Sequence, residues 1–571
     1  MEASLGSNDL DLVSQLSAKG RYDFVIVGSG VGGGILARLL VERNKSVLLI
    51  EKGRLLFSTH CLNTSRPSWQ VGGIQGPSQD NDVVYNNVKR KVQTTSGSDP
   101  YVGGPVHCLG GRSSVWGLFA PRERESTLKK YFPERITKYL QETGYESAFN
   151  LMTNHSKGKP YNPKDPDFTG LEDVQNSVKK GLEAAISEFC KKTQNTKSPE
   201  PTGFEVAPIA AEFKSTHPYR FPQGAYSTID ALLNLAYAGN HRLTILMNTE
   251  ALFVTYEKTG EKSRDCPAQQ FKVKSLTIRA LSTNRSVDIM ANEGFILCAG
   301  TIETARIALL SGLQDINPLV GKGLTDHEIW GVRFNRERKS DAMKHPLKLQ
   351  CEVSIGEPHD DEPNALLNVV VNANNYFGRS LNVYNPPTQN FDSGGKLEKA
   401  PNDILRGNPA EVSPNYDTVN VTLQFAAELL DTSEVLNFAS RDPVIHAKRH
   451  IPRGDEECQK QMQCLATIIR NKILNTSEGI APRLSLAGFG AVAHEVGTMR
   501  LEGPKTKDYV VDKEYHFKNF EDLYICDLSI FPVSPPANPT LTLAALAMQL
   551  ADDLCPAGGG NPDIQSTKSK L

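Results

Sequence analysis

Runs of apolar residues, read by their period, lay out the chain first. Phe24-Val-Ile-Val27 is a short β-rich run, Ile35 to Glu42 has helical spacing, and Val47-Leu-Leu-Ile50 is a second strand that ends at Glu51. Residues 243–247 and 252–256 read as strands, and 272–278 alternates as an antiparallel ribbon does. Residues 294–300 form another buried strand ending in glycine, followed by a helical run over Glu303–Leu310. Residues 1–20 are polar without a firm period, 54–105 are irregular, and 126–200 alternate helical stretches with loops rich in Pro, Asn and Lys. From 331 to 484, alternating strands mix with loops rich in Asn, Pro and Asp. No self-similarity at a period of about 20–50 residues is evident, which excludes a repeat architecture.

The turn between the first strand and its helix is Gly28-Ser-Gly30-Val-Gly-Gly33. In a strand–turn–helix context these glycines predict dinucleotide binding. Gly28 permits the tight bend, Gly30 lets backbone approach a pyrophosphate, and Gly33 lets the helix pack close to the strand. The helix N-terminus adds unpaired N–H groups and a partial positive charge. Glu51 follows Gly33 by 18 residues, the place of a carboxylate that accepts from ribose hydroxyls and disfavours a 2′-phosphate. The turn alone does not separate NAD from FAD. A later loop holds Gly110, Gly111, Ser113 and Ser114, a donor-rich stretch suited to a pyrophosphate or a ring edge and equally to a surface turn.

At 571 residues the chain is too long for one simple core, and two domains are the default. Cofactor-like elements recur near 30, 110, 300 and 530, so a linear split is excluded. The reading is an α/β fold in which a discontinuous cofactor domain (20–130, 215–335 and 485–556) carries an inserted antiparallel-sheet substrate domain (131–214 and 336–484). A net charge of -2 removes any general attraction to nucleic acid or anionic lipid. No apolar run reaches the length of a membrane span. The first residues carry acids where a signal peptide is basic, which predicts a cytoplasmic protein. Ten cysteines without CxxC spacing predict reduced thiols and no metal site.

Candidate chemistry gathers late in the chain, in His494-Glu-Val-Gly497-Thr498, in Cys526-Asp527, and in Asn538-Pro539-Thr540. Alone, each has a bland reading: a single histidine is most often structural, and Asn-Pro is often a turn. His494-Glu495 opens like a zinc-protease helix, but position 498 is Thr where that motif needs His.

Taken together, these residues resemble the glucose–methanol–choline (GMC) family of FAD-dependent oxidoreductases, over nearly the whole length. Gly28, Gly30, Gly33 and Glu51 match its ADP-binding turn and ribose acid, and Gly110, Gly111, Ser113 and Ser114 its second flavin loop. Ala299-Gly300-Thr301 resembles a strand-end cofactor contact, and Val320 to His327 a turn read as structural. His494 stands at the catalytic histidine, Asp527 at the acid that closes on the flavin, and Asn538-Pro539-Thr540 at the tail of the branch with a His/Asn pair, like pyranose 2-oxidase. The resemblance implies a Rossmann-type FAD domain, FAD as cofactor, a small-molecule alcohol substrate, and O₂ or another electron acceptor. It implies hydride transfer to flavin N5 with His494 as base, an imidazole titrating near neutrality, and Asn538 fixing the substrate oxygen. A lyase or isomerase on the same fold, or a flavin-binding scaffold without catalysis, would fit the cofactor elements too. Some members attach FAD through a histidine where this chain has Val115, so FAD is expected without a covalent link.

Overall fold

The computed structural model describes residues 10–63, 81–153, 173–193, 201–210, 224–259, 269–337, 347–356, 363–372, 388–391, 397–398, 416–436, 442–476, 481–506 and 508–556. Ten strands position the site. They are β1 (Phe24–Val27), β2 (Val47–Ile50), β3 (Leu243–Leu246), β4 (Gly294–Leu297), β5 (Glu328–Glu337), β6 (Leu347–Val353), β7 (Ala365–Asn372), β8 (Tyr416–Phe425), β9 (Ser485–Ala487) and β10 (Leu523–Ile525).

One sheet is parallel throughout, in the order β10-β4-β1-β2-β3. β1, β2 and β4 are buried at every position, which is why they read as unbroken apolar runs rather than alternations. Helix α1 (Val31–Glu42) follows β1, α2 (Thr301–Leu310) follows β4, and α3 (Thr540–Leu554) packs across α1. α2 starts at Thr301, two residues before the helical run read from sequence. The loops after β1, β2, β4 and β10 all leave from the carboxyl ends of the strands. The chain runs from β1 outward to β2 on one side and returns to β4 on the other, so a crevice opens there, the usual ligand position in such sheets. The expected antiparallel ribbon is present as Thr249–Thr259, Gln270–Ala280 and Ser286–Ile289.

The second sheet holds the consecutive neighbours β9-β5-β8-β7-β6, all antiparallel. Its period-2 pattern sorts side chains cleanly. Val419, Val421, Leu423 and Phe425 of β8 pack with Leu182 of the helix Asp173–Thr193 and Met462 and Leu465 of the helix Glu456–Leu474. Full burial of each such side chain is worth about 1.5–3 kcal/mol. The intervening Asn420, Thr422 and Gln424 are also buried, but on the opposite face, toward the parallel-sheet half.

Packing divides the chain differently from the expected borders. All ten residues of β5 pair with β8, so the antiparallel sheet begins at Glu328 and a border at 335 would cut a strand. β9 belongs to the same sheet although it starts at 485. The helices Glu125–Tyr131, Glu134–Tyr139 and Tyr145–Thr153 send Leu128, Ile136 and Phe149 into the core of the parallel-sheet half, and the last of them packs against α3. Among the described residues no helix is long and apolar enough to cross a membrane.

Candidate active site

A cavity, in part open to solvent, runs along the crevice at the carboxyl ends of the parallel strands. Of the residues singled out from sequence, Gly28, Gly30, Glu51, Gly111, Ser113, Ala299, Asp527, Asn538, Thr540 and His494 line it. Residues more than 450 positions apart in sequence therefore share one cavity.

Gly28 has φ +95°, and a Cβ there would lie 2.4 Å from the Cys298 carbonyl oxygen, so the turn requires glycine. At Gly30 a Cβ would meet nothing within 4 Å, which leaves open space where a pyrophosphate could approach. Gly30 caps α1 without a side chain, so the helix's first amide groups are available to an anion. At the end of β2, Glu51 accepts from Ser29 Oγ (2.6 Å), Ser29 N (3.2 Å) and Gly53 N (2.8 Å). Burial raises its pKa while these donors oppose the rise. This end fits the adenosine diphosphate half of FAD, with Glu51 held rigidly by the turn it serves.

Three expected contacts stand behind the lining instead. Gly33 packs its Cα against the Gly28 carbonyl, where a Cβ would come within 1.9 Å. Gly110 donates its N–H to Ser29 Oγ (2.9 Å), and the Ser114 hydroxyl donates to the Leu109 carbonyl (3.3 Å). Gly110 and Ser114 shape the second loop, and Gly111 and Ser113, though buried, are the part of it that lines the cavity. Val115 also lines the cavity, an aliphatic wall with no atom that could be alkylated. The floor beneath holds a charged cluster that sequence reading did not find. Glu303 accepts from Arg306 Nε (2.6 Å) and pairs with His107 (3.0 Å) and Lys52 (3.2 Å). Burial alone would raise the Glu303 pKa, but these partners hold it well below the usual carboxylate range.

His494 reaches the cavity from a loop fixed on both sides. Val496 exchanges backbone hydrogen bonds with Thr325, and Thr498 Oγ1 donates to the Thr301 carbonyl (2.6 Å). Arg112 Nη1 donates to the Ala493 carbonyl (2.7 Å) and to Glu495 (2.6 Å). Ala493 itself has φ +60°, a left-handed conformation costly for a residue with a Cβ and sustained here by these contacts.

The His494 ring meets a partner from the turn that reads as structural in the sequence: His494 Nδ1 lies 2.9 Å from His327 Nε2. His327 Nδ1 in turn faces the Pro535 carbonyl at 2.9 Å. A carbonyl only accepts, so neutral His327 carries its proton on Nδ1 and its Nε2 accepts. The proton between the rings then sits on His494 Nδ1, which leaves the lone pair on His494 Nε2. Both rings are neutral at pH 7. Burial pushes His327 down to about 4, and burial, followed by the fields of His327, Arg112 and Lys348, pushes His494 well below 6.5. That differs from the near-neutral titration expected from the sequence, because among the described residues no carboxylate pairs with His494 to favour its cation.

Asn538 stands just before α3 and is 7% exposed. Its Oδ1 accepts from Gln424 Nε2 of β8 at 3.4 Å, which ties the candidate substrate contact to the antiparallel sheet. Asp527 lines the cavity, but its oxygens are engaged by Gly300 N (2.9 Å), Thr304 Oγ1 (2.5 Å) and Ser529 N (2.8 Å). It ties the end of β10 to the start of α2.

A family model described as GMC oxidoreductase matches residues 418–547, a stretch that contains His494, Asp527 and Asn538. A long-chain-alcohol oxidase of Arabidopsis thaliana is 20% identical over 560 residues, covering 92% of this chain and 65% of the relative. The chain thus spans about two thirds of that relative's length. A dehydrogenase of Hericium erinaceus is 22% identical over 596 residues, with 93% and 94% covered. An ecdysone oxidase of Bombyx mori is 25% identical over 326 residues, 52% of this chain and 42% of that one. The crystal structure of pyridoxine 4-oxidase from Mesorbium loti has the same fold, with a TM-score of 0.56 at 14% identity over 93% of this chain and 99% of that one.

Proposed function

We propose that the chain is an oxidoreductase of the GMC family and that it oxidises an alcohol group of a small molecule with non-covalent FAD. FAD would supply the two-electron acceptor for the hydride leaving the carbinol carbon, and O₂ or another acceptor would take the electrons onward. The observation that carries the reading is the His494–His327 contact on the wall of a cavity that begins at the Gly28 turn.

The chain's own residues have distinct tasks. His494 Nε2, unprotonated, takes the hydroxyl proton as the C–H bond weakens, a general-base role worth about 10²–10⁴-fold. His327 keeps that nitrogen free by accepting from Nδ1, and so acts as a positioning residue. Asn538 offers its amide N–H to the substrate oxygen while Gln424 holds its carbonyl side. Glu51 and the α1 N-terminus hold the nucleotide half. Asn538 at this position is also what supports the His/Asn, pyranose 2-oxidase-like branch.

The direct test is anaerobic mixing of the flavin-loaded protein with a panel of alcohols. Bleaching of the yellow flavin absorbance by at least one alcohol is the expected result. Substrate turnover without any flavin bleaching would replace this reading by the lyase or isomerase one.

A further inference from the structure

His494 stands between two residues that a single side chain holds. Arg112 Nη1 donates to the Ala493 carbonyl (2.7 Å) and to Glu495 Oε2 (2.6 Å), and its Nη2 donates to the Gly104 carbonyl (2.9 Å). Arg112 belongs to the loop whose Gly111 and Ser113 line the cavity. Gly111 packs in turn on the first glycine turn, where a Cβ on it would lie 3.3 Å from Gly30 Cα. One guanidinium therefore joins the cofactor-side loop to both neighbours of the candidate base.

The far end of this link is built as firmly. The Glu495 side chain is 1% exposed, Tyr101 Oη donates to its Oε1, and Thr301 Oγ1 at the start of α2 donates to its backbone carbonyl. Gly103 leaves no slack, since a Cβ there would come within 2.3 Å of Glu495 Oε1. A buried carboxylate is costly unless it is paired, so the Glu495 side chain is committed to this seat. Ala493 is the strained member, at φ +60°. A residue with a Cβ leaves that conformation unless its surroundings hold it, and the Arg112 bonds on either side of His494 do the holding.

We propose that Arg112 is a positioning residue for the base: its rigid fork, by holding Ala493 and Glu495, sets where the His494 ring stands in the cavity. This rests on the alcohol-oxidation reading above, in which His494 is the base. The fork matters here rather than the charge. Arg112 also acts on His494 through its field. A lysine keeps that field but is a point donor on a flexible stem, without the planar fork that reaches acceptors on two loops at once.

The test compares wild type, Arg112→Lys, and Arg112→Lys combined with Ala493→Gly, each as the flavin-loaded full chain. Amide hydrogen exchange over residues 490–498 reads the loop. Anaerobic bleaching by benzyl alcohol, 1-hexanol and D-glucose, per bound flavin, reads the base. In Arg112→Lys the exchange should be about 10-fold faster or more. Bleaching should be about 10–100-fold slower, the penalty of misplaced reacting groups. Glycine takes φ +60° without strain, so adding Ala493→Gly should return at least about 5-fold of the lost rate. Wild-type exchange and rate in Arg112→Lys would overturn the proposal, because charge alone would then suffice. So would a rate loss that leaves exchange unchanged or that Ala493→Gly does not relieve, since Arg112 would then act on the flavin or the substrate directly. Should Arg112→Lys not fold, Glu495→Gln weakens the same charge-assisted bond at nearly constant shape. Exchange over 490–498 at least ~3-fold faster is then expected, and unchanged exchange overturns the proposal. If none of the three alcohols bleaches the wild type, the oxidation reading fails for them and exchange alone decides: faster exchange in Arg112→Lys sustains the hold on the His494 loop, and unchanged exchange removes it.

Discussion

His494 and His327 form a one-way hydrogen bond. The Pro535 carbonyl behind His327 allows a single arrangement of protons, so the ring at the cavity keeps its Nε2 lone pair without a charged partner. A carboxylate in place of His327 would have made His494 a stronger base but held it protonated nearer neutrality.

His494→Ala should retain flavin and lose about 10²–10⁴ in the rate of anaerobic flavin reduction. Stopped-flow bleaching per bound flavin measures this. A near-normal rate in a flavin-replete variant would end the general-base role.

His327→Leu removes the acceptor and leaves a buried N–H unpaired, a cost of about 1–3 kcal/mol that should appear as a ~10–100-fold slower reduction. His327→Gln, which can present an oxygen to His494 Nδ1, should recover part of the rate. A merely structural histidine would give the same Tm loss in both variants and no difference in rate per flavin.

The pH profile follows from burial. His494 is held well below 6.5, so its base form is complete at neutrality. Flavin reduction should be flat from about pH 6.5 upward and fall only on the acid side, below the ordinary histidine range. A midpoint at or above 7 in the free enzyme would contradict the neutral two-ring arrangement.

His60 allows a sign-checked stability prediction. It is buried, faces the Trp116 carbonyl through Nε2 (3.1 Å), and burial pushes its pKa down to about 3. Unfolded, it binds a proton below about 6.5. Its contribution is therefore complete above 6.5 and lost as pH falls toward 3, at up to about 1.4 kcal/mol per pH unit. Urea unfolding of His60→Asn should show a slope against pH shallower by about one proton in that window. Equal slopes would mean the ring is solvated.

Two glycines of the first turn, Gly28 and Gly30, should fail differently. Gly30→Ala points a methyl into open cavity space, so bound flavin should drop while Tm without flavin stays near wild type. Gly28→Ala meets the Cys298 carbonyl at φ +95° and should lower Tm whether or not flavin is present.

What the sequence revealed, and what it hid, divides by range. β1, its turn, α1 and β2 were legible because adjacent residues make the unit. The alternation in 331–484 told that strands were there, but not that β8 lies between β5 and β7, since pairing is set by partners far away. The His494–His327 contact spans 167 positions, and nothing local to His327 marks it as anything but a turn residue. Gly110 and Ser114 matched a cofactor loop, yet the loop turns them inward to bond Ser29 and Leu109, a choice made by three-dimensional packing. The borders at 335 and 485 missed because β5 and β9 continue apolar patterns that either half could have used.

β10 lies at the edge of the sheet that begins with β1, and Asn538 and α3 complete the cavity wall against α1. On a ribosome adding about 5–20 residues per second, the first strand therefore waits on the order of half a minute to two minutes for its outermost neighbour. β4 has one edge unpaired from the making of Leu297 until Leu523 follows, and the strands β5 to β9 emerge in that interval. Closure of the cavity against the Gly28 turn therefore waits for β10, Asn538 and α3, after every other strand named here has been made.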